Sequence, residues 1–142
     1  MDPAGTDPEL AAAARAAAAA SYSPYSGFAV GAAVRWADGG VSTGTNVENA
    51  SHPLAVCAER NAVAAGVGRG WRRIAAVAVW ADVAGVVSPC GGCRQVLAEF
   101  APDPGAVVVH LLGRERAETV TLAELLPRAF GPPPGLRRGS RG

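Results

Sequence analysis

The sequence predicts an α/β fold: a three-layer α/β/α arrangement around a mixed sheet of about five strands. Helical and strand-like segments alternate along the chain in the order helix, hairpin, helix, strand, helix, strand, strand. The apolar run from Ile74 to Trp80 is typical of a strand that is covered on both faces. Residues 113–118 are too few to hold a crossover helix, so we expect the last two strands to pair antiparallel.

The composition indicates one domain. The chain has 142 residues, of which 49% are hydrophobic and 6% aromatic, and its net charge is +1. We expect a single domain over 1–142, with its core at about 20–131 and a disordered tail at 132–142. The low net charge gives no field to attract a polyanion, and no apolar run reaches membrane-spanning length. These features predict a cytoplasmic protein without nucleic-acid or membrane partners.

The first element is predicted to be a helix over 8–20. Thr6 or Asp7 is suited to cap its start, because a side-chain oxygen there accepts a hydrogen bond from a free backbone N–H group. The alanine-rich segment that follows favours helix, and the turn-forming residues of 21–27 end it. We expect this helix to cover one face of the sheet.

A hairpin and a second helix come next. The segments 28–36 and 41–47 are predicted strands, and Asp38-Gly39-Gly40 is the turn between them. A helix is expected over 56–67, with Cys57 at its N-terminal end. That position favours a thiolate, because the free N–H groups and the helix dipole stabilise negative charge.

The last third of the chain alternates again. A helix is predicted over 90–100, with Pro89 suited to its first turn. Strands are predicted at 106–112 and 119–122, and a short helix at 123–130. Both cysteine-bearing helices then begin at the carboxyl ends of strands, which is where α/β sheets place their sites.

The three cysteines of the chain lie in two short stretches. Cys57 stands two residues before Glu59, and Cys90 and Cys93 have the i, i+3 spacing that puts both sulfurs on one helix face. Three protein ligands leave one position of a tetrahedral zinc open, which is the catalytic arrangement. A nearby carboxylate that is not a ligand is typical of the zinc nucleobase deaminases. A redox pair remains an alternative, but it leaves Cys57 and Glu59 unexplained, and a structural zinc site, the other alternative, would require a fourth ligand.

Five motifs in the same order resemble the small homotetrameric cytidine deaminases that act on free nucleosides. The similarity extends over most of the chain, from about residue 22 to 132. The motifs are Tyr25 to Ala33, Asn46 to Ala50, Cys57 to Arg60, Pro89 to Gln95 and Leu125 to Gly131.

The resemblance implies a zinc-dependent hydrolytic deamination of cytidine or 2′-deoxycytidine in pyrimidine salvage. Cys57, Cys90 and Cys93 would hold Zn²⁺, and Glu59 would carry protons to the base and the leaving amine. Arg60 would donate to the zinc-bound thiolates and offset their negative charge. A surface ion pair without a catalytic role remains the alternative for Arg60.

The same resemblance implies contacts to the nucleoside. Asn46 and Glu48 would bind the ribose 3′-hydroxyl, although turn chemistry at the hairpin end is the alternative for both. Phe28 would pack on the pyrimidine, where plain core packing is the alternative. The backbone N–H of Ala58 would meet the 2-carbonyl group, and the Ser88 carbonyl would accept from the 4-amino group.

The remaining expectations concern assembly and substrate. Phe130 would reach the site of a neighbouring subunit in a homotetramer. His52 stands where the family usually has Tyr beside a subunit contact, so it is either a titratable interface residue or an unrelated loop residue. Two rival functions share part of the pattern: a deaminase of the blasticidin S type, and a non-catalytic, zinc-stabilised oligomerisation module.

Overall fold

The structure is a computed structural model that describes residues 5–131 of the chain. The prediction for the tail at 132–142 therefore lies outside the described residues. Nine helices and strands occur within the described range, together with two short 3-10 turns. They are α1 (Pro8–Ala18), β1 (Val30–Trp36), β2 (Val41–Thr45), α2 (Ala58–Gly68), β3 (Ile74–Ala81), α3 (Gly91–Glu99), β4 (Val108–Leu112), β5 (Ala117–Thr121), α4 (Leu122–Leu125), and the turns His52–Leu54 and Pro104–Ala106.

The five strands form one mixed sheet in the order β2-β1-β3-β4-β5. β1 pairs antiparallel with both β2 and β3, so β2 and β3 run in the same direction. β3 and β4 are parallel, and β4 and β5 are antiparallel. The predicted α/β class, the strand number and the antiparallel final pair are thus confirmed.

The two faces of the sheet bury different sets of side chains, because successive residues of a strand point to opposite faces. Ala33 and Ala78 face α1, where they pack with Leu10 and Ala14. The other face meets α2 and α3. Its buried cluster is the larger of the two and includes Ala32, Val34, Trp36, Ala62, Val63, Val77, Val79, Leu97 and Val109. This alternation gives the three predicted layers.

Helix α1 begins as predicted at an aspartate cap. Asp7 is the N-cap residue, and its Oδ1 accepts a hydrogen bond of 3.1 Å from the backbone N–H of Leu10. The same carboxylate accepts from Arg35 on β1 at 2.8 Å. Desolvation opposes ionisation, but these hydrogen bonds together hold the pKa of Asp7 below its usual value. The cap therefore also ties α1 to the sheet.

Helix α2 lies unusually close to β2 because a glycine stands between them. A Cβ atom placed on Gly44 would lie 2.4 Å from the backbone N of Ala62 and 2.6 Å from the carbonyl O of Ala58. Only a residue without a side chain allows this approach. The contact fixes the height of α2 above the sheet at the end that carries Cys57.

The structure shifts most of the predicted boundaries by one or two residues; for example, β1 begins at Val30 and not at 28, and β5 begins at Ala117 and not at 119. Two further corrections have a local cause. The final helix was predicted over 123–130, but it ends at Leu125. Leu126 precedes Pro127, and a residue before proline is driven out of the helical region; Leu126 has φ −139° and ψ 68°. Pro89 was predicted in the first turn of α3, but Cys90 is the N-cap residue and Pro89 precedes it.

Among residues 5–131, no helix combines the length and the apolar character that a membrane crossing requires.

Candidate active site

The three cysteine sulfurs converge at the edge of the sheet where β2 and β3 both end. Cys57 is the N-cap residue of α2 and Cys90 that of α3, and Cys93 lies in the first turn of α3. All three Sγ atoms lie within 4.8 Å of one another, and those of Cys90 and Cys93 are 3.4 Å apart. Tetrahedral Zn–S bonds of ~2.3 Å require sulfurs about 3.8 Å apart. The donor set and its spacing therefore fit zinc.

The three thiols differ in acidity because their surroundings differ. The backbone N–H of Cys93 donates to the Cys90 sulfur at 3.4 Å, and this hydrogen bond lowers the pKa of Cys90. Burial raises the pKa of both Cys57 and Cys93. A bound cation reverses that effect, since a coordinating thiol is deprotonated outright. Cys90 is therefore the most acidic of the three thiols, and a bound cation would favour the thiolate form of all of them.

Glu59 lies in the first turn of α2, beside the sulfur cluster. It is only 5% exposed, and within residues 5–131 no cation pairs with it, which is unusual for a carboxylate. Burial raises its pKa, and interactions with its own backbone N–H and with Cys93 oppose that rise only in part. A carboxyl group with a raised pKa binds a proton more readily, which suits a group that both accepts and donates protons.

Cys57, Cys90 and Glu59 open onto a cavity of about 200 Å³. It is lined mainly by apolar side chains. The lining residues are Phe28, Val30, Asn46, Cys57, Ala58, Glu59, Val79, Ala81, Val87, Ser88 and Cys90. Phe28, Asn46, Ala58 and Ser88, which the family resemblance assigned to substrate, are therefore brought together with the metal corner.

Asn46 joins the cavity to the segment that precedes β1. Its Oδ1 accepts from the Ser21 hydroxyl at 2.6 Å and from the backbone N–H of Val30 at 3.0 Å. Its Nδ2 donates to the carbonyl of Phe28 at 2.7 Å. These bonds place Phe28 over the cavity, and the second N–H of the amide is left to donate to a ligand.

Glu48 lies outside this cavity, in a neighbouring hollow of about 300 Å³ that also includes His52. Its carboxylate accepts from the backbone N–H groups of Tyr25 at 2.9 Å and Ser26 at 3.1 Å, and from the Ser26 hydroxyl. The Ser26 hydroxyl bond is the main reason that the pKa of Glu48 lies below its usual value. The ring of His52 lies 6.0 Å from that of Tyr25.

Arg60 and Phe130 also lie outside the cavity. Arg60 is exposed, and among residues 5–131 it makes no hydrogen bond to the three sulfurs, so the expected donation is not formed in this structure. Phe130 is 83% exposed, and its backbone carbonyl accepts from Nε2 of Gln95 at 3.1 Å.

Arg94 was not predicted as a site residue, although the Arg94 guanidinium makes three hydrogen bonds beside the cavity. They go to the carbonyls of Pro89 and Leu125 and to the hydroxyl of Ser88. One local signal points to it: Arg94 stands four residues after Cys90, so it occupies the same side of α3 as a metal ligand.

Comparisons with known proteins agree on one family. Residues 5–111 match the model of the cytidine and deoxycytidylate deaminase zinc-binding region. A cytidine deaminase of Halalkalibacterium halodurans is 47% identical over 110 residues, which cover 78% of this chain and 83% of that protein. One from Mycobacterium tuberculosis is 45% identical over 115 residues, covering 81% and 82%.

Solved structures give the same result. The crystal structure of a cytidine deaminase from Burkholderia pseudomallei has a TM-score of 0.82 and 42% sequence identity, covering 88% of this chain and 99% of that one. The cytidine deaminase from Mycobacterium tuberculosis has a TM-score of 0.75 and 43% identity, with coverage of 87% and 96%.

Proposed function

This chain belongs to the cytidine and deoxycytidylate deaminase family, and from that membership we propose that it converts cytidine and 2′-deoxycytidine to uridine and 2′-deoxyuridine. The reaction consumes one water and releases ammonia. The observation that carries the proposal is the convergence of three cysteine sulfurs within 4.8 Å beside a carboxyl group that is only 5% exposed.

Cys57, Cys90 and Cys93 are the residues that hold zinc in this proposal. When bound, zinc lowers the pKa of a water molecule toward neutrality and so supplies the nucleophile of a hydrolysis. The two helix N-termini assist by stabilising the thiolates. Thiolate ligands also select zinc over harder divalent cations, which prefer oxygen.

Glu59 carries the protons. It takes one from the attacking water and delivers it to N3 of the pyrimidine, which makes C4 electrophilic. After the C4–O bond forms, Glu59 transfers the second proton to the 4-amino group, and the C–N bond breaks with loss of ammonia. Its raised pKa supports this role, because the same group must accept and release a proton in each cycle.

The other cavity residues orient the nucleoside. The backbone N–H of Ala58 is the first of α2 and has no partner within the helix, so it is available to the 2-carbonyl group. The Ser88 carbonyl accepts from the 4-amino group, and Phe28 packs against the base. Asn46 donates its remaining amide N–H to the ribose 3′-hydroxyl, and Glu48 accepts from that hydroxyl once the ligand reaches the neighbouring hollow.

The assembly that we propose is a homo-oligomer, and by family resemblance a tetramer. Several large apolar side chains are exposed and would be covered by other subunits. They are Tyr22, Tyr25, Val47, Leu54 and Phe130. Phe130 would enter a neighbouring site in this arrangement. We place the enzyme in the cytoplasm, in nucleoside salvage.

The test is a substrate panel followed by absorbance, with zinc content measured on the same protein. We expect turnover of cytidine and deoxycytidine, and little of their monophosphates or of blasticidin S. Glu59→Gln should keep the zinc but lower kcat by roughly 10²- to 10⁴-fold, whereas the exposed Glu99→Gln on α3 should be unaffected.

Full activity of Glu59→Gln would contradict the mechanism. Turnover of blasticidin S alone would indicate the antibiotic deaminase, and zinc without turnover of any compound would indicate the oligomerisation module.

A further inference from the structure

The guanidinium of Arg94 connects three parts of the chain at one end of the cavity. Its Nε donates to the carbonyl of Pro89 at 2.7 Å and one terminal nitrogen donates to the hydroxyl of Ser88 at 2.8 Å. The other terminal nitrogen donates to the carbonyl of Leu125 at 2.6 Å. Its backbone N–H also donates to the carbonyl of Cys90 at 3.0 Å. Arg94 thus contacts three successive residues, 88, 89 and 90.

The loop that leads to Ser88 is held differently at its other end. The carbonyl of Val83 accepts from the backbone N–H of Arg114 at 2.7 Å, and that of Ala84 accepts from Glu115 at 3.3 Å. A Cβ on Gly113 would lie 1.7 Å from the carbonyl O of Gly85, so the two loops are in backbone contact there. Backbone contacts therefore fix the start of the loop, and one side chain fixes its end.

The position of Ser88 matters because of what its carbonyl would face. Ser88 lines the cavity with Cys90 and Glu59. A carbonyl aimed at C4 accepts a hydrogen bond from the amino group of cytidine, but it opposes the carbonyl oxygen of uridine. Two acceptors facing each other leave both unsatisfied, which is the strongest source of discrimination between similar ligands.

We propose that Arg94 is a positioning residue that aims the Ser88 carbonyl and thereby makes the site prefer the amino substrate over the oxo product. The inference rests on the proposed function, since it assumes that this end of the cavity receives C4. The hydrogen bond from Arg94 to the Leu125 carbonyl also holds the segment that leads to Phe130 against this loop.

The test compares Arg94→Gln and Arg94→Lys with a matched control, Arg72→Gln. Arg72 also donates to two backbone carbonyls, those of Val67 and Trp71, both at 2.9 Å, but it lies away from the cavity lining. For each protein we would measure zinc content, kcat and KM for cytidine, and the inhibition constant Ki of uridine. The ratio of Ki for uridine to KM for cytidine is the readout.

For Arg94→Gln we expect the ratio to fall about tenfold, since cytidine loses a hydrogen bond while uridine loses a repulsion. A lysine ammonium group cannot bind all three acceptors that the arginine guanidinium binds. The ratio for Arg94→Lys should therefore lie between that of Arg94→Gln and that of the wild type. Arg72→Gln should leave the ratio unchanged. Ser88→Ala, which removes only the hydroxyl acceptor, should shift the ratio in the same direction by a smaller factor.

A merely structural role would weaken cytidine and uridine equally, and an unchanged ratio in Arg94→Gln would overturn the inference. If Arg94→Gln does not fold, an unchanged ratio in Ser88→Ala has the same force. A wild-type protein that does not deaminate cytidine would instead overturn the proposed function, and this would be evident before any variant is compared.

Discussion

Two parts of the proposed site are built in opposite ways. The metal corner consists of Cys57, Cys90, Cys93 and Glu59, and the sugar end consists of Asn46, Glu48 and Phe130. At the metal corner, Cys93 and Glu59 are buried and stand in the first turns of two helices. At the sugar end, Glu48 lies on a loop and Phe130 is 83% exposed. The residues proposed for the chemistry thus come from one chain, whereas those proposed to recognise the sugar lie on loops, and Phe130 is proposed to act in the site of a neighbouring subunit.

The polar groups at the sugar end also have partners before any ligand arrives. Glu48 accepts three hydrogen bonds from Tyr25 and Ser26, and Asn46 accepts from Ser21 and Val30. Such bonds hold a side chain in place without substrate, so a ligand meets a preorganised surface. The difference between the two regions leads to four predictions, in order of expected effect.

The largest effect should come from Cys93→Ala at the metal corner. Loss of one thiolate should reduce the zinc content and lower activity by about a thousandfold or more, because the metal contributes several kcal/mol to the barrier. Metal analysis and turnover of cytidine measure both. Chelation of the wild type should reproduce the loss and added zinc should reverse it, whereas zinc should not rescue Cys93→Ala. An active, zinc-free variant would show that the cysteines are not the catalytic ligands.

A smaller effect is expected from Glu48→Gln at the sugar end. A hydrogen bond to a charged group is stronger than one between neutral groups, so KM should rise roughly tenfold with kcat little changed. Steady-state kinetics with cytidine and deoxycytidine measure this, and both should respond because they share the 3′-hydroxyl. Glu118→Gln, an exposed carboxylate on β5, serves as the control. An unaltered KM would mean that Glu48 only braces the loop.

Phe130→Ala tests whether the sugar end depends on a second chain. Loss of an aromatic contact should raise KM about fivefold, which corresponds to roughly 1 kcal/mol. Oligomers mixed from Phe130→Ala and Glu59→Gln subunits should contain sites with an intact Glu59 and a partner's intact Phe130, and so regain the wild-type KM. Wild-type KM in the pure variant, or no recovery on mixing, would exclude a role across subunits.

The smallest effect concerns pH and stability. The pKa of Glu48 is lowered in the folded protein, so its ionised form stabilises the fold above its usual value of 4.5, and this contribution is lost as the pH falls through the lowered pKa. The wild type should therefore have a slightly higher Tm than Glu48→Gln at pH 7, because an exposed ion pair or hydrogen bond contributes little. The difference should vanish in acid. A difference that persists at low pH would show that ionisation of Glu48 is not its cause.

The sequence was informative where a short spacing determines the geometry. The i, i+3 pair of Cys90 and Cys93, and Glu59 two residues after Cys57, lie on helix starts that local patterns predict. Both helices were predicted to begin at the carboxyl ends of strands, and they converge because β2 and β3 run in the same direction. Local patterns can predict the metal corner because its residues lie at two helix N-termini.

Sequence reasoning was weaker where the contacts are distant in the chain. The bonds between Glu48 and Ser26 join residues 22 positions apart, and that between Arg94 and Leu125 joins residues 31 positions apart. The periodicity of hydrophobic residues along the chain does not predict such distant pairs. The end of α4 is a different case, because the restriction that Pro127 places on Leu126 is local and was overlooked.

Gly44 has a consequence for how closely the site can be built. There is no room for even a methyl group between β2 and α2. A larger residue at position 44 would push α2 away from the sheet and displace Cys57 and Glu59 together. Cys90 and Cys93, carried by another helix, would stay behind. The position of Glu59 relative to the sulfurs of Cys90 and Cys93 thus depends on a residue of β2 that has only a hydrogen atom as its side chain.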